Sequence, residues 1–368
     1  MTERLSERPR PFGVGFIGVE PARSWAWAAH LPAIKRLPED FRFVGLANRS
    51  VESSRRAAAV LGEGRAFDSI DDLLASDEVD LVVVTVKAAH HAPIVERVLA
   101  RGKHVFCEWP LAVNLTEAEA LVRLAAEAKA RSFIGKQGRV GEALCAIREI
   151  VGSGALGNIL STTVVGAAGV WGASIARANV YSLEVTQGAN VLTVVVGHML
   201  AALEFALGQV DSVNAVLSTG RPWVKVESEG GMAAATAPDQ VAICGTLASG
   251  AVLSVHYRGG LPSGAGITWE VYGSDGMLRL EGASGQNQMT TYTITGSFPG
   301  AETALAPFGA AAAHHPGDNV ARLYAAIARD LREGTRTAPD FEDALRTHRL
   351  IAAIENAATT GQKQYCRS

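Results

Sequence analysis

Residues 79–110, VDLVVVTVKAAHHAPIVERVLARGKHVFCEWP, read as one strand–helix–strand unit. The run 79–86 is almost wholly apolar, as expected of a strand covered by helices on both sheet faces. The pattern predicts a helix over 91–101 and a further strand over 104–107. Two strands joined through a helix pair in parallel. The same alternation extends outward. Residues 12–18 (FGVGFIG) form a short apolar run ending in glycine, 24–36 read as a helix, and 41–47 as the second strand, closed by Asn48-Arg49-Ser50. A helix follows over 51–61 with Ser50 as its N-cap, then a short helix opened by Ser69-Ile70-Asp71-Asp72. Thr116-Glu117-Ala118-Glu119 has capping-box spacing and starts a helix to residue 130, before a strand over 131–134. The outcome is an α/β, doubly wound parallel sheet. Ligands bind such sheets at the carboxyl ends of the strands, here the loops after Gly18, Ala47, Val86 and Cys107.

The pattern changes after Arg139, which divides the chain into domains 1–138 and 139–368. The second part predicts helices over 141–153 and 190–207, and strands over 159–165, 210–217, 239–247, 251–258, 268–273, 277–281 and 289–295. Ala248-Ser249-Gly250 and Ser274-Asp275-Gly276 are hairpin signals. This is an α+β domain with a large, mainly antiparallel sheet, closed by helices over 319–332 and 341–360; the Ala/Gly-rich stretch 308–313 reads as a loop.

The 368 residues are 48% hydrophobic and 19% charged, with a formal net charge of -3, which supports a buried core rather than disorder. There is no basic block to bind nucleic acid. Cys107, Cys145, Cys244 and Cys366 are widely spaced and form neither a CxxC pair nor a metal-ligand cluster with the histidines, so reduced thiols and no metal are expected. With no signal peptide and no membrane-spanning run, the expected location is the cytoplasm.

Several residues together carry a likeness. Glu108-Trp109-Pro110 follows Gly102-Lys103-His104-Val105; Thr85 and His90 flank the strand end; Gly197-His198 and Phe341-Glu342-Asp343-Ala344-Leu345 lie downstream. The chain resembles the GFO/IDH/MocA family of nicotinamide-dependent dehydrogenases. That resemblance implies an N-terminal Rossmann-type domain, a Glu-x-Pro junction and a C-terminal open-faced sheet domain that pairs two copies. A narrower set is Gly18, Ser24-Trp25, His30-Leu31-Pro32-Ala33-Ile34, Glu108-Trp109, Gln137-Gly138-Arg139, Trp171-Gly172 and Val196-Gly197-His198. These residues resemble the branch of the fungal galactose-regulon co-repressor, which implies dinucleotide binding in a regulator.

The cofactor loop departs from GxGxxG, which places glycine where backbone approaches pyrophosphate. Only Gly18 is present; Glu20 and Arg23 hold the other two positions. Arg23 and the amides near Ser24 and Trp25 are expected at the pyrophosphate. Asn48-Arg49-Ser50 lacks the acid that binds a ribose 2′-hydroxyl, and Arg49 suits a 2′-phosphate, so NADP(H) is expected over NAD(H). The resemblance adds Thr85, Val86, Lys87, His90, Glu108, Trp109 and Gln137 to the cofactor site.

The family's signature lysine falls on Trp109 and its aspartate on Val194, leaving His198 as its one proton carrier. Lys87 and Tyr181 are further catalytic candidates. Trp109, Arg139, Trp171, Tyr181, Glu184 and His198 are substrate candidates, Trp109 by stacking on the nicotinamide or a sugar ring. Each candidate also has a plain reading as a packed or solvated residue. Two functions follow: an NADP(H)-dependent oxidoreductase acting on a sugar-like or other small carbonyl, alcohol or imine, and a catalytically silent dinucleotide-binding regulator. Self-association through the open sheet, as a homodimer or larger homo-oligomer, is expected of either.

Overall fold

The computed structural model describes residues 10–227, 230–260, 266–299 and 315–366; the predicted loop 308–313 lies outside them. Six strands form the first sheet: β1 Phe12–Ile17, β2 Phe41–Ala47, β3 Arg65–Ala66, β4 Leu81–Val84, β5 His104–Cys107 and β6 Ser132–Ile134. They lie in the order β3-β2-β1-β4-β5-β6 and every pairing is parallel. The order reverses between β1 and β4, which opens a crevice at their carboxyl ends. β4 is sequestered on both faces, and all four of its side chains are fully buried.

Caps set the helix boundaries. Ser50 starts Val51–Leu61 and forms a reciprocal capping box with Ser53. Ser69 caps Ile70–Ala75. The fifth-strand helix begins earlier than Thr116 predicts: Asn114 accepts the Glu117 amide at 2.9 Å, and the helix is Leu115–Glu127. Asparagine at the N-cap outcompetes a later threonine because it satisfies the amide that would otherwise be orphaned. The predicted helix 24–36 contains a wide π-type turn, Ala26–His30, before Leu31–Lys35. Pro32 has no amide hydrogen to return to the preceding turn, so the widened turn precedes it.

The second sheet has eight strands and runs from Tyr292–Ser297 at one edge to Gln364–Tyr365 at the other. Both hairpin signals join antiparallel neighbours: Gln240–Leu247 to Val252–Gly259, and Ile267–Gly273 to Met277–Gly282. One pair, Ile159–Ala168 with Val252–Gly259, is parallel. The last predicted strand starts at Tyr292 instead of Met289, because Asn287 and Gln288 are buried in hydrogen bonds with Tyr292 and Asn319. A small three-stranded sheet of Ser174–Ile175, Trp223–Val226 and Met232–Ala234 was not predicted.

Helix Gly317–Glu333 returns to the first domain. Its Val320, Leu323, Tyr324 and Ile327 pack with Val14, Phe16, Leu46 and Phe106 of the first sheet. The other face of that sheet shares one continuous core with the second sheet. Among the described residues, no helix is long and apolar enough to cross a membrane.

Candidate active site at the domain junction

The loops at the carboxyl edge of the first sheet are tied to one another. Gly18 has φ +100°, and a Cβ there would lie 2.7 Å from Val86 Cγ1. Its role is thus close strand packing, and Val86 fills the space above it. Asn48 clamps the same loop, accepting the Val19 amide and donating to the Val19 carbonyl, both at 2.8 Å. Thr85 Oγ1 donates to the carbonyls of Ile17 and Gly18. Ser24 accepts the amides of Glu20 and Trp27, so its hydroxyl caps its own helix. Arg23, Arg49 and Ser50 are exposed at this edge, and Trp25 is half-buried with its indole nitrogen unpartnered. Gln137, just past β6, is buried, and its amide oxygen has no partner.

The structure brings together two catalytic candidates from different domains. Lys87 follows β4, and its Nζ lies 4.2 Å from the ring centroid of Tyr181, on the 3-10 segment Arg177–Leu183. Burial raises the Tyr181 pKa, so its phenol stays protonated near neutrality. Its hydroxyl has no hydrogen bond to another described residue. Glu184 and His90 are exposed. The adjacent His91 is buried between the carbonyls of Val86 and Pro110, at 2.9 and 2.8 Å; burial lowers its pKa, and the neutral ring donates to one of them. Trp171 takes a left-handed φ of 64° and its indole nitrogen is buried without a partner.

The Glu108-Trp109-Pro110 junction faces inward. Glu108 bonds His30 Nε2 at 2.8 Å, and His30 Nδ1 bonds the Tyr324 hydroxyl at 2.9 Å, all three buried. With a carboxylate at Nε2, the imidazole hydrogen sits there and Nδ1 accepts from tyrosine. Glu108, expected at the cofactor, is held by His30 at the head of this buried chain. Trp109, expected as a stacking platform, is packed in the domain junction. It is 6% exposed, with Lys136 Nζ 4.6 Å and the His348 ring 4.7 Å from its centroid. Its Nε1 donates to the Thr193 carbonyl at 2.7 Å. The Gly197 amide bonds Leu192 and Val194 instead of Thr193, so Val191–Val196 forms a π-type turn. The tryptophan thus claims a carbonyl that an α-helix would use itself. Gly197 is required here, because a Cβ would lie 2.9 Å from Trp109 Nε1.

Beneath Trp109 is a lysine that the sequence reading did not single out. Lys136 is 2% exposed and donates to the Asp343 carbonyl at 2.7 Å and to Thr347 Oγ1. Burial lowers its pKa to about 7. Burial, then the charge of Lys136, lowers both His198 and His348 to about 3. His198 is therefore neutral at pH 7, a form that can accept a proton but has no second one to deliver. Arg139, a substrate candidate, pairs with Asp343 at 2.6 Å and lies over Phe205. A signal for His348 was present, since Phe341, Ala344, Leu345 and His348 make an i, i+3, i+4, i+7 stripe. Among the described residues, no three His, Cys, Asp or Glu side chains converge on a metal site.

Comparison with known proteins agrees with this architecture. The pattern described as "Oxidoreductase family, NAD-binding Rossmann fold" (GFO/IDH/MocA) matches residues 12–136, and that of "Gal80p, C-terminal domain" matches residues 143–282. The chain thus matches the GFO/IDH/MocA Rossmann pattern in its first part and the Gal80p C-terminal pattern in its second. The galactose/lactose metabolism regulatory protein GAL80 of Saccharomyces cerevisiae is 26% identical over 95% of this chain and 93% of its own length. The dehydrogenase aclE of Aspergillus oryzae is 29% identical over 76% and 78%. The crystal structure of a super-repressor mutant of Saccharomyces cerevisiae Gal80p superposes with a TM-score of 0.89 at 25% identity, covering 96% of this chain and 97% of that one. The Gal80-like architecture thus has both a regulator and a dehydrogenase among its relatives.

Proposed function

We propose that this protein is an NADP(H)-dependent oxidoreductase acting on a small polar carbonyl, alcohol or imine, with Tyr181 as its proton-bearing group. The observation that carries this reading is the Lys87–Tyr181 pair, which joins the two domains beside the carboxyl end of β4. A dinucleotide fits the chain's own residues. Gln137 offers a buried, unpaired amide oxygen. Arg49, exposed where β2 ends without an acid, suits a 2′-phosphate. Arg23 and the first amides of the helical run after Ser24 present positive charge to the pyrophosphate.

When bound, the nicotinamide supplies or accepts the hydride. Tyr181 holds the accompanying proton on its phenol oxygen and delivers it to the developing alkoxide or amine nitrogen of the substrate. The Lys87 ammonium over the ring stabilises negative charge as that proton leaves. Lys136 packs against Trp109, and Trp109 fixes the turn that leads into neutral His198. An iminium acceptor needs no acid at all.

A second reading, a silent dinucleotide-binding regulator, is favoured by the likeness to GAL80 over nearly the whole chain and by the packed Trp109 in place of a free lysine. In either role the outward face of the eight-stranded sheet, carrying Val165, Val216, Val252 and Tyr272, is the proposed surface for a homodimer. The four cysteines are free thiols, which suits a reducing cytoplasm. Purified protein assayed with NADPH and NADH against sugars, keto acids and imines separates the readings. Turnover favouring NADPH is expected; tight cofactor binding with no turnover across the panel overturns the enzyme proposal in favour of the regulator.

A further inference from the structure

A second cavity lies away from the Lys87–Tyr181 cleft. It has a volume of about 660 Å³ and lies between helices Glu142–Gly152 and Gly317–Glu333, with Phe205 of helix Gly197–Leu207 in its wall. Five guanidinium groups line it: Arg139, Arg148, Arg322, Arg329 and Arg336. No lining residue is acidic. Arg139 pairs with Asp343 and Arg322 with Glu142; Glu149 lies near Cys145, Glu204 lies near Arg139, and Asp330 accepts the amide and hydroxyl of Thr337. Arg329 and Arg336 have no ion pair or hydrogen bond among the described residues. Arginines are thus the only charged residues lining the cavity, and Arg148, Arg329 and Arg336 are exposed, open to an anion from solvent.

The walls are arranged to receive such an anion. Arg139 and Arg148 both lie over the Phe205 ring, at 5.0 and 4.4 Å, which holds their planes in place. The Arg139 Nε is buried and unpartnered. Guanidinium forks match phosphate oxygens in pairs, and the apolar part of the wall accepts a carbon skeleton. The volume falls in the range of small-molecule sites, about 300–1,000 Å³.

We propose that this cavity is a binding site for a small phosphorylated metabolite carrying at least two negative charges. The site communicates with the cleft through Arg139. An anion competes with Asp343 for Arg139, and the Asp343 carbonyl holds Lys136 beneath Trp109. This inference does not depend on the enzyme reading.

The test is calorimetric titration of the full chain, saturated with NADPH so that the cofactor cleft is closed to the probe. Pyrophosphate and glucose 6-phosphate are the probes, with glucose as control, at constant ionic strength. Saturable binding of both phosphorylated probes and none of glucose is expected. Arg329→Ala/Arg336→Ala should weaken it on the order of tenfold or more while leaving NADPH affinity unchanged, since neither arginine holds a structural ion pair. Absence of saturable binding overturns the proposal. So does binding unaffected by the double substitution, or binding of an acidic peptide but of neither phosphorylated probe.

Discussion

Replacing Lys136 by methionine removes a charge from beneath Trp109 while keeping an unbranched side chain of similar length. Lys136 is 2% exposed, and its pKa falls from an ordinary 10.5 to about 7. At about 1.4 kcal/mol per pH unit, that difference disfavours the charged native state by roughly 5 kcal/mol. The sign follows from proton binding: between pH 7 and 10.5 the unfolded chain holds a proton that the folded chain does not, so wild-type stability rises with pH across that window. Against this, methionine loses the hydrogen bonds to the Asp343 carbonyl and Thr347, about 1 kcal/mol each. Lys136→Met is therefore expected to be more stable than wild type at pH 6 by roughly 3 kcal/mol and less stable at pH 10.5 by about 2. Urea unfolding of both proteins at several pH values measures the difference directly. A difference that stays flat with pH refutes the reasoning, because it means the ammonium is solvated in the folded protein.

Other substitutions probe other parts of the account. Arg49→Asp should weaken NADPH binding on the order of tenfold or more while sparing NADH; equal loss for both, measured by fluorescence titration, contradicts the assignment of Arg49 to the 2′-phosphate. Gly18→Ala combines a φ of +100° with a 2.7 Å approach to Val86, and should cost roughly 2 kcal/mol or more in denaturant unfolding. Asn190→Ala removes the cap that accepts the Thr193 amide at 3.2 Å; the expected loss is about 1 kcal/mol, and an unchanged midpoint would show the π-type turn stands without it.

The parallel sheet was legible because burial on both faces leaves near-continuous apolar runs, as in β4, and because Ser50 and Ser69 announce their helices. The small sheet was not legible: Ser174–Ile175 and Met232–Ala234 are too short to display a period. The site divides in the same way. Lys87 and Tyr181 could be named because each lies at a strand end or before the His198 helix, yet only the fold places them 4.2 Å apart. Trp109 read either as a stacking ring, through its apolar face, or as a packed residue. Its real partners, Thr193, Gly197 and His348, are distant in sequence, and no local pattern announces a tertiary hydrogen bond that widens a helical turn. Lys136 follows a buried strand much as Lys87 does, so its position was visible while its burial was not.

The central claim is that the proton chemistry lies with Tyr181 and Lys87 rather than at residue 109 or His198. The most direct measurement is kcat/KM for wild type, Tyr181→Phe and Lys87→Met with NADPH and the best substrate of the panel, alongside NADPH affinity. The account predicts a fall on the order of a hundredfold or more for Tyr181→Phe, carried by kcat, with NADPH affinity unchanged, and a smaller fall for Lys87→Met. Full activity in Tyr181→Phe, or activity lost instead in His198→Ala alone, would contradict it.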